Sequence, residues 1–303
     1  MTTPGNQRPR SDAAVADPSS LSSARLFDSR AVWTTGLADP ARPTSRELHT
    51  DRPHSARVYN YWLGGKDNFP ADREVAERVA AAWPGVRTSA RENRDFLHRA
   101  VRGLVERGVR QFLDVGTGLP LAPNTHEIAQ SVDPEARVVY LDNDPMVLAH
   151  ARALLTGAGG GRIRYVEEDL LHPEKILASA ADTLDLGQPV AVLLLAVLHF
   201  VPDPRQARAL VSRYLEPLPS GSAVVISHGC PESLAPETAQ TIAQVYGQSI
   251  QGSWASAREI GELFGPVELL DPGVVPVSRW RRPGDFCPPD TDIALYGGVG
   301  IKP

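Results

Sequence analysis

The sequence predicts an α/β chain: a mostly parallel sheet with helices on both faces, preceded by a helical extension. Three observations lead there. From residue 111 onward, short apolar runs alternate with segments of helical period, the pattern of β-α-β crossovers. The run 190–198 is apolar throughout, as a strand buried on both faces should be. The run 111–115 enters Gly116-Thr117-Gly118 ahead of a helix, and glycines there let the backbone turn tightly and pass close to a ligand.

Along the chain, residues 1–45 are rich in Pro, Ser, Ala, Arg and Asp and hold no sustained period, so they are expected to form a flexible tail with room for a short helix over 21–33. Residues 46–108 are expected to form a helical extension and lid. Aromatic and charged residues interleave over 54–69, a helix is expected over 72–83 before Pro84-Gly85, and another over 89–107. The second shows Phe96, Leu97, Ala100, Val101, Leu104 and Val105 at helical spacing and stops at Gly108. Residues 109–303 hold the sheet domain. Strands are expected at 111–115, 137–141, 163–166, 190–198 and 223–227. Helices are expected at 124–132, 145–155, 173–181, 204–215, 237–249 and 257–264, and a glycine turn at 157–161. Two last β runs, 267–270 and 292–299, have no clear helix between them and read as an antiparallel edge.

Composition narrows the function classes. The 303 residues carry 31 Lys and Arg against 36 Asp and Glu, a net charge of −5, which argues against a broad nucleic-acid-binding face. Two cysteines, Cys230 and Cys287, make neither a disulfide scaffold nor a zinc module, and no metal site is expected. The longest apolar run, 190–201, is broken by His199 and falls short of the roughly 20 residues a bilayer requires. No apolar leader opens the chain, so a cytoplasmic location is the expectation.

The chemistry concentrates at strand ends. Asp114 stands two residues before Gly116, and the third glycine of a dinucleotide fingerprint is replaced by Leu121. A carboxylate there would repel a pyrophosphate but suits a cationic ligand such as the amino acid end of S-adenosylmethionine. Asp142 follows the second strand, placed to accept hydrogen bonds from both hydroxyls of a ribose. Asp169 follows the third, where it can accept from an adenine amine while Leu170 offers backbone and apolar contact. The plainer reading is that each Asp caps a helix; three together with the glycine turn favour the ligand.

These residues resemble the first three motifs of class I S-adenosylmethionine-dependent methyltransferases: Asp114 to Gly118, Val139 to Pro145 and Glu168 to Leu170. More closely, the chain resembles an actinomycete-type S-adenosyl methyltransferase family formerly catalogued as a domain of unknown function. The resemblance runs from about residue 46 to the end and is carried by 56–69, 111–120 with 124–127, 198–203 and 298–303. It implies a Rossmann-like, seven-stranded sheet of order 3-2-1-4-5-7-6 with the seventh strand antiparallel. It also implies S-adenosylmethionine as cofactor, held by Asp114, Gly116, Thr117, Gly118, Asp142, Asn143, Asp169, Leu170 and Ala196. Asn60 stands where the family usually has Asp, and Leu121-Ala122 replaces a Thr-containing stretch.

Methyl transfer gains mostly from orientation and exclusion of water. A base is needed only where the nucleophile carries a proton, and His199, ranked first, and His126 are the candidates, with His228 a third imidazole able to share their rim. Each has a packing or capping alternative. The stretch 59–69 has the contents of a lid: Tyr59 and Tyr61 as an apolar wall, Gly64-Gly65 as a hinge, Lys66 and Asn68 as polar tips. The alternative is that its aromatics anchor the extension. The run 279–282 reads as a solvated turn. A small-molecule acceptor is the leading expectation, with a non-catalytic S-adenosylmethionine sensor or an NAD(P)-dependent oxidoreductase as competing readings.

Overall fold

The computed structural model describes residue 1 and residues 49–155, 162–247, 250 and 252–303. Residues 38–303 cluster as one unit, to which every helix and strand named below belongs. The expected helix over 21–33, the turn at 157–161 and the last two residues of the helix at 237–249 lie outside the described residues.

The sheet is assembled from β1 (Gln111–Val115), β2 (Arg137–Asp142), β3 (Ile163–Glu167), β4 (Val190–Leu195), β5 (Ala223–Gly229), β6 (Glu268–Leu269), β7 (Val275–Pro276) and β8 (Leu295–Ile301). Their order is β3-β2-β1-β4-β5-β8-β6, with β7 also pairing β8. The first five are parallel, and β8 runs antiparallel between β5 and β6. This is the expected topology with one extra two-residue strand, so the antiparallel strand is the eighth in the chain rather than the seventh.

Side chains alternate across the strands and supply two apolar layers. Leu113 and Val115 of β1 join Val139, Leu141, Val192 and Leu194 on one face. Phe112 joins Val138, Tyr140, Ala191 and Leu193 on the other. That second layer is covered by α3 (Val86–Glu106), which buries Phe96, Leu97, Ala100, Val101 and Leu104 and ends where Gly108 takes φ +97°. Because the period is 2, Asp114 lies on the same face as Phe112, beneath α3 and α4 (Thr125–Val132).

The remaining helices of the sheet domain are α5 (Pro145–Leu155), α6 (Pro173–Ala180), α7 (Pro204–Leu215), α8 (Pro236–Gly247) and α9 (Ala257–Leu263). α7 starts cleanly, with Pro204 in its first turn and the Asp203 carboxylate accepting the Arg205 N–H at 2.9 Å. At its other end, Lys302 donates to the carbonyls of Leu215 and Glu216 at 3.0 Å each, where the helix dipole favours a cation.

The extension contributes α1 (Ser55–Trp62) and α2 (Pro70–Ala82). α1 is a helix where the sequence shows only interleaved aromatic and charged residues. Its apolar seam is short, Val58 and Trp62 at i, i+4, and two polar residues, Arg57 and Asn60, are buried beside it. Val58 and Trp62 pack with Val75, Ala76 and Val79 of α2, and the Trp62 indole N–H donates to the Ala76 carbonyl at 3.1 Å.

Two further differences matter for the site. β4 ends at Leu195, three residues before the apolar run does, and a 3-10 turn comes next at Leu198–Phe200. The run 279–282 is a packed clasp rather than a solvated turn. Trp280 is buried edge-on against Phe96 (5.4 Å, 81°), Arg282 pairs with the buried Glu92, and Arg279 makes a two-pronged pair with Asp290.

Candidate active site

The carboxyl ends of β1, β2 and β3 form one continuous rim, because the three strands are neighbours in the sheet. Gly116 and Thr117 donate their N–H groups to the Leu141 carbonyl at 2.8 and 3.1 Å, which bends the chain out of β1 and over the end of β2. Gly116 takes φ +70°, and a Cβ there would sit 2.5 Å from Val197 Cγ2, so only glycine fits between this turn and the chain leaving β4. Asp142 then closes the turn: its Oδ2 accepts the Gly118 N–H at 2.8 Å and its Oδ1 accepts the Asp144 N–H at 2.9 Å.

Asp114 and Asp142 are each 7% exposed. Burial pushes the Asp114 carboxyl up to about 6, against the opposing pull of the Thr125 hydroxyl, which donates to Asp114 Oδ2 at 2.6 Å. Burial also raises Asp142, and the amides of Asp144 and Gly118 oppose it. Two acidic groups withheld from water beside each other favour a cationic or hydrogen-bond-donating partner. Asp169, half-buried, accepts the Leu171 N–H at 2.9 Å, and the Tyr214 hydroxyl donates to the Leu170 carbonyl at 2.9 Å. Asn143 is half-buried between Asp142 and the buried Asp144.

Ala196 is the hinge between this rim and the next. Its φ is +51°, unusual for a residue with a Cβ, and its N–H is shared between the Ser227 carbonyl (3.0 Å) and hydroxyl (2.9 Å). Beyond it, His199 and His228 meet edge to face with ring centroids 5.6 Å apart, and Phe200 also meets His199 edge-on at 4.3 Å and 66°. Burial, then the neighbouring His228, drives the His199 imidazole down to about 3, and burial lowers His228 as well. His199 Nδ1 is buried without a hydrogen-bond partner among the described residues. Its carbonyl accepts the Ser253 N–H at 2.8 Å, and Trp254 lies against Gly229.

His126 stands apart from these two. Its N–H donates to the Tyr140 hydroxyl at 2.8 Å and its Nδ1 lies 2.8 Å from the same oxygen, while Tyr140 stacks on Tyr165 at 4.7 Å. The three imidazoles therefore do not form one cluster: two belong to β4 and β5, and one to the β1–β3 side. Burial lowers the His126 imidazole too.

The stretch 59–69 is tied down at several points. The Tyr59 hydroxyl donates to the Ala90 carbonyl (3.0 Å) and accepts from Asn93 (3.0 Å), and the Tyr61 hydroxyl donates to Glu77 (2.5 Å). Asn68 donates to Asn60 Oδ1 and the Gly65 carbonyl, both at 3.0 Å, which pins the Gly64-Gly65 turn, and Lys66 is exposed. Contacts from His54 and Arg94 take the extension to the rim. His54 Nδ1 lies 3.1 Å from Asp144 Oδ2, and Arg94 of α3 donates to the carbonyls of Leu121 and Pro123, both at 2.7 Å. Thr125, Arg94 and Asp144 were not singled out from sequence. The first two obey no periodic signal; Asp144 had one, an acidic residue two after Asp142.

A cradle of this kind, glycine turn and buried carboxylates at neighbouring strand ends, fits an adenosyl ligand. The family description "S-adenosyl methyltransferase" matches residues 41–303. The chain belongs to the S-adenosyl methyltransferase family. A DUF574-family protein of Streptomyces avermitilis is 45% identical, with 85% of this chain and 100% of that one covered at a TM-score of 0.80. A protein of Thermobifida fusca, described provisionally as a methyltransferase, is 39% identical, covering 84% and 97% at a TM-score of 0.78. No curated protein matches the chain. Membership carries S-adenosylmethionine as the cofactor, and neither relative's description supports an oxidoreductase or a sensor. Among the described residues no helix is long and apolar enough to cross a membrane, and no cluster of His, Cys, Asp and Glu could hold a metal ion.

Proposed function

We propose that this protein transfers a methyl group from S-adenosylmethionine to a small-molecule acceptor. The observation that carries the reading is the Asp142 clasp, a buried carboxylate held by two amides at the end of β2, beside a Gly116 turn that a side chain would fill. The cofactor supplies an electrophilic methyl on a sulfonium. Asp142 accepts the ribose hydroxyls, with Asn143 beside it. Asp114 faces the cationic amino acid end, directly or through water, with Thr117 and Gly118 offering the turn's backbone. Asp169 and Leu170 receive the adenine edge, and Ala196 lines the crossing toward the acceptor. Tyr59, Tyr61, Lys66 and Asn68 belong to the covering wall that keeps water out.

On the acceptor side, His199 and His228 present neutral imidazoles in an aromatic setting. With its pKa held near 3, His199 accepts a hydrogen bond from the acceptor's nucleophile and orients it, and it takes up a proton with little driving force. His126 is the second candidate base, half-buried and paired to Tyr140. The −5 net charge favours a small acceptor over a nucleic acid.

The test is calorimetry with S-adenosylmethionine and S-adenosylhomocysteine, then transfer of labelled methyl into a metabolite extract. Binding of both with label incorporated is the expected result. Binding without incorporation into any small molecule would remove the transfer step, and no binding would remove the cofactor assignment.

A further inference from the structure

One buried arginine, with no part in the roles above, joins the helical extension to the cofactor rim. Arg57 of α1 is 3% exposed, and its Nε lies 3.7 Å from Asp72 Oδ1 and 3.6 Å from Asp144 Oδ2. Both carboxylates are withdrawn from water, Asp72 at 0% and Asp144 at 2% exposure. Asp72 also accepts the N–H groups of His54 and Phe69, each at 2.8 Å, and so ties the start of α1 to the start of α2. The Phe69 ring lies 5.4 Å from the guanidinium carbon. Asp144 accepts the Met146 N–H at 2.9 Å on Oδ1 and faces His54 Nδ1 at 3.1 Å on Oδ2. Its own N–H is one of the two that hold Asp142.

A buried charge cluster is a poor source of net stability, because desolvation offsets most of the attraction. The extension also has an apolar seam of its own in Val58, Trp62, Val75 and Val79. What the cluster does fix is register: it sets where the turn 142–144 sits relative to α1. We propose that Arg57 is a positioning residue, which through Asp144 holds Asp142 in its ribose-accepting pose, so that seating of the extension and binding of the nucleoside favour each other. The proposal rests on the reading of Asp142 as the ribose carboxylate. By reciprocity, whatever factor the seated extension contributes to cofactor affinity, the cofactor returns to the extension.

Asp72→Asn and Asp144→Asn make the matched test. Each removes one carboxylate facing Arg57 from a buried place, so each lowers thermal stability, but only Asp144 touches Asp142. The affinity for S-adenosylhomocysteine by calorimetry, and amide exchange over 55–82 with and without it, are the readouts. Asp144→Asn and Arg57→Gln are expected to bind about tenfold more weakly than the native chain, a change of about 1.4 kcal/mol, and to lose ligand-induced protection of 55–82. Asp72→Asn is expected to stay within about threefold and to keep that protection. Equal weakening by Asp72→Asn and Asp144→Asn, or native affinity in both, overturns the proposal. Should the variants fail to fold, the native protein decides: binding without added protection of 55–82 refutes the coupling alone. No binding at all by the native chain refutes the cofactor reading and the coupling with it.

Discussion

The two halves of the sheet's rim are built from different materials. At the ends of β1, β2 and β3 the side chains are carboxylates, Asp114 and Asp142 buried and Asp169 half-buried, held by backbone amides and a threonine hydroxyl. At β4 and β5 they are imidazoles and aromatic rings, neutral and partly unpartnered. On the proposed reading the first half recognises one ligand in one pose, because backbone amides already fix the Asp142 carboxylate. The second leaves His199 Nδ1 for something else to meet. On the proposed reading this sets a fixed donor site beside a more open acceptor site.

Asp142 is where the two halves differ most in what a substitution should do. Asp142→Ala removes charge-assisted hydrogen bonds worth about 1.5–3 kcal/mol each, so S-adenosylhomocysteine affinity should fall by about a hundredfold or more in calorimetry. An unchanged isotherm would dissolve the donor half. His199→Phe should act the other way round, with cofactor affinity within about twofold and turnover down by about ten- to a hundredfold. Loss of cofactor binding in that variant would erase the boundary between the halves.

The two halves also respond differently to pH. Asp114, held near 6, must be ionised to meet a cation, so affinity should be flat above pH 7 and about tenfold weaker at pH 5. Asp114→Asn should bind weakly at both. For folding the sign is opposite: a carboxyl raised above its unfolded value stabilises below about pH 4, and that contribution is lost as pH rises through 6. His199 should impose no imidazole limb on the rate between pH 5 and 8, since it is neutral throughout. Thr125→Val is the smallest change. Losing its hydrogen bond should move the Asp114 midpoint slightly upward, and a titration of binding against pH would record it.

The donor half was readable in the sequence because its chemistry is local. Asp114, Gly116 and Gly118 share one turn, and Asp142 and Asp169 stand at strand ends that apolar runs mark out. What the letters could not convey was distance between segments: Thr125 reaching Asp114, Arg94 reaching the loop carbonyls, Arg57 lying between two aspartates. α1 shows no clear helical seam in the letters because its buried face holds as much polar as apolar side chain, and β4 reads too long because Ala196, Val197 and Leu198 continue the apolar run past the strand's end. Among the histidines, the sequence reads His199 and His228 as following β4 and β5 and His126 as opening a helix; the fold sets His199 in the turn after β4 against His228 within β5, and His126 beside Tyr140.

Gly116 and Val197 constrain each other's size. Because Ala196 turns the chain leaving β4 toward the β1 turn, the two positions share one volume, 2.5 Å from a hypothetical methyl to an existing one. Gly116→Ala alone should therefore be crippling, while adding Val197→Ala should recover part of the loss, the remainder being the backbone strain of about 1–2 kcal/mol that alanine meets at positive φ. In homologous chains the pair should covary, with bulk at one place matched by its absence at the other.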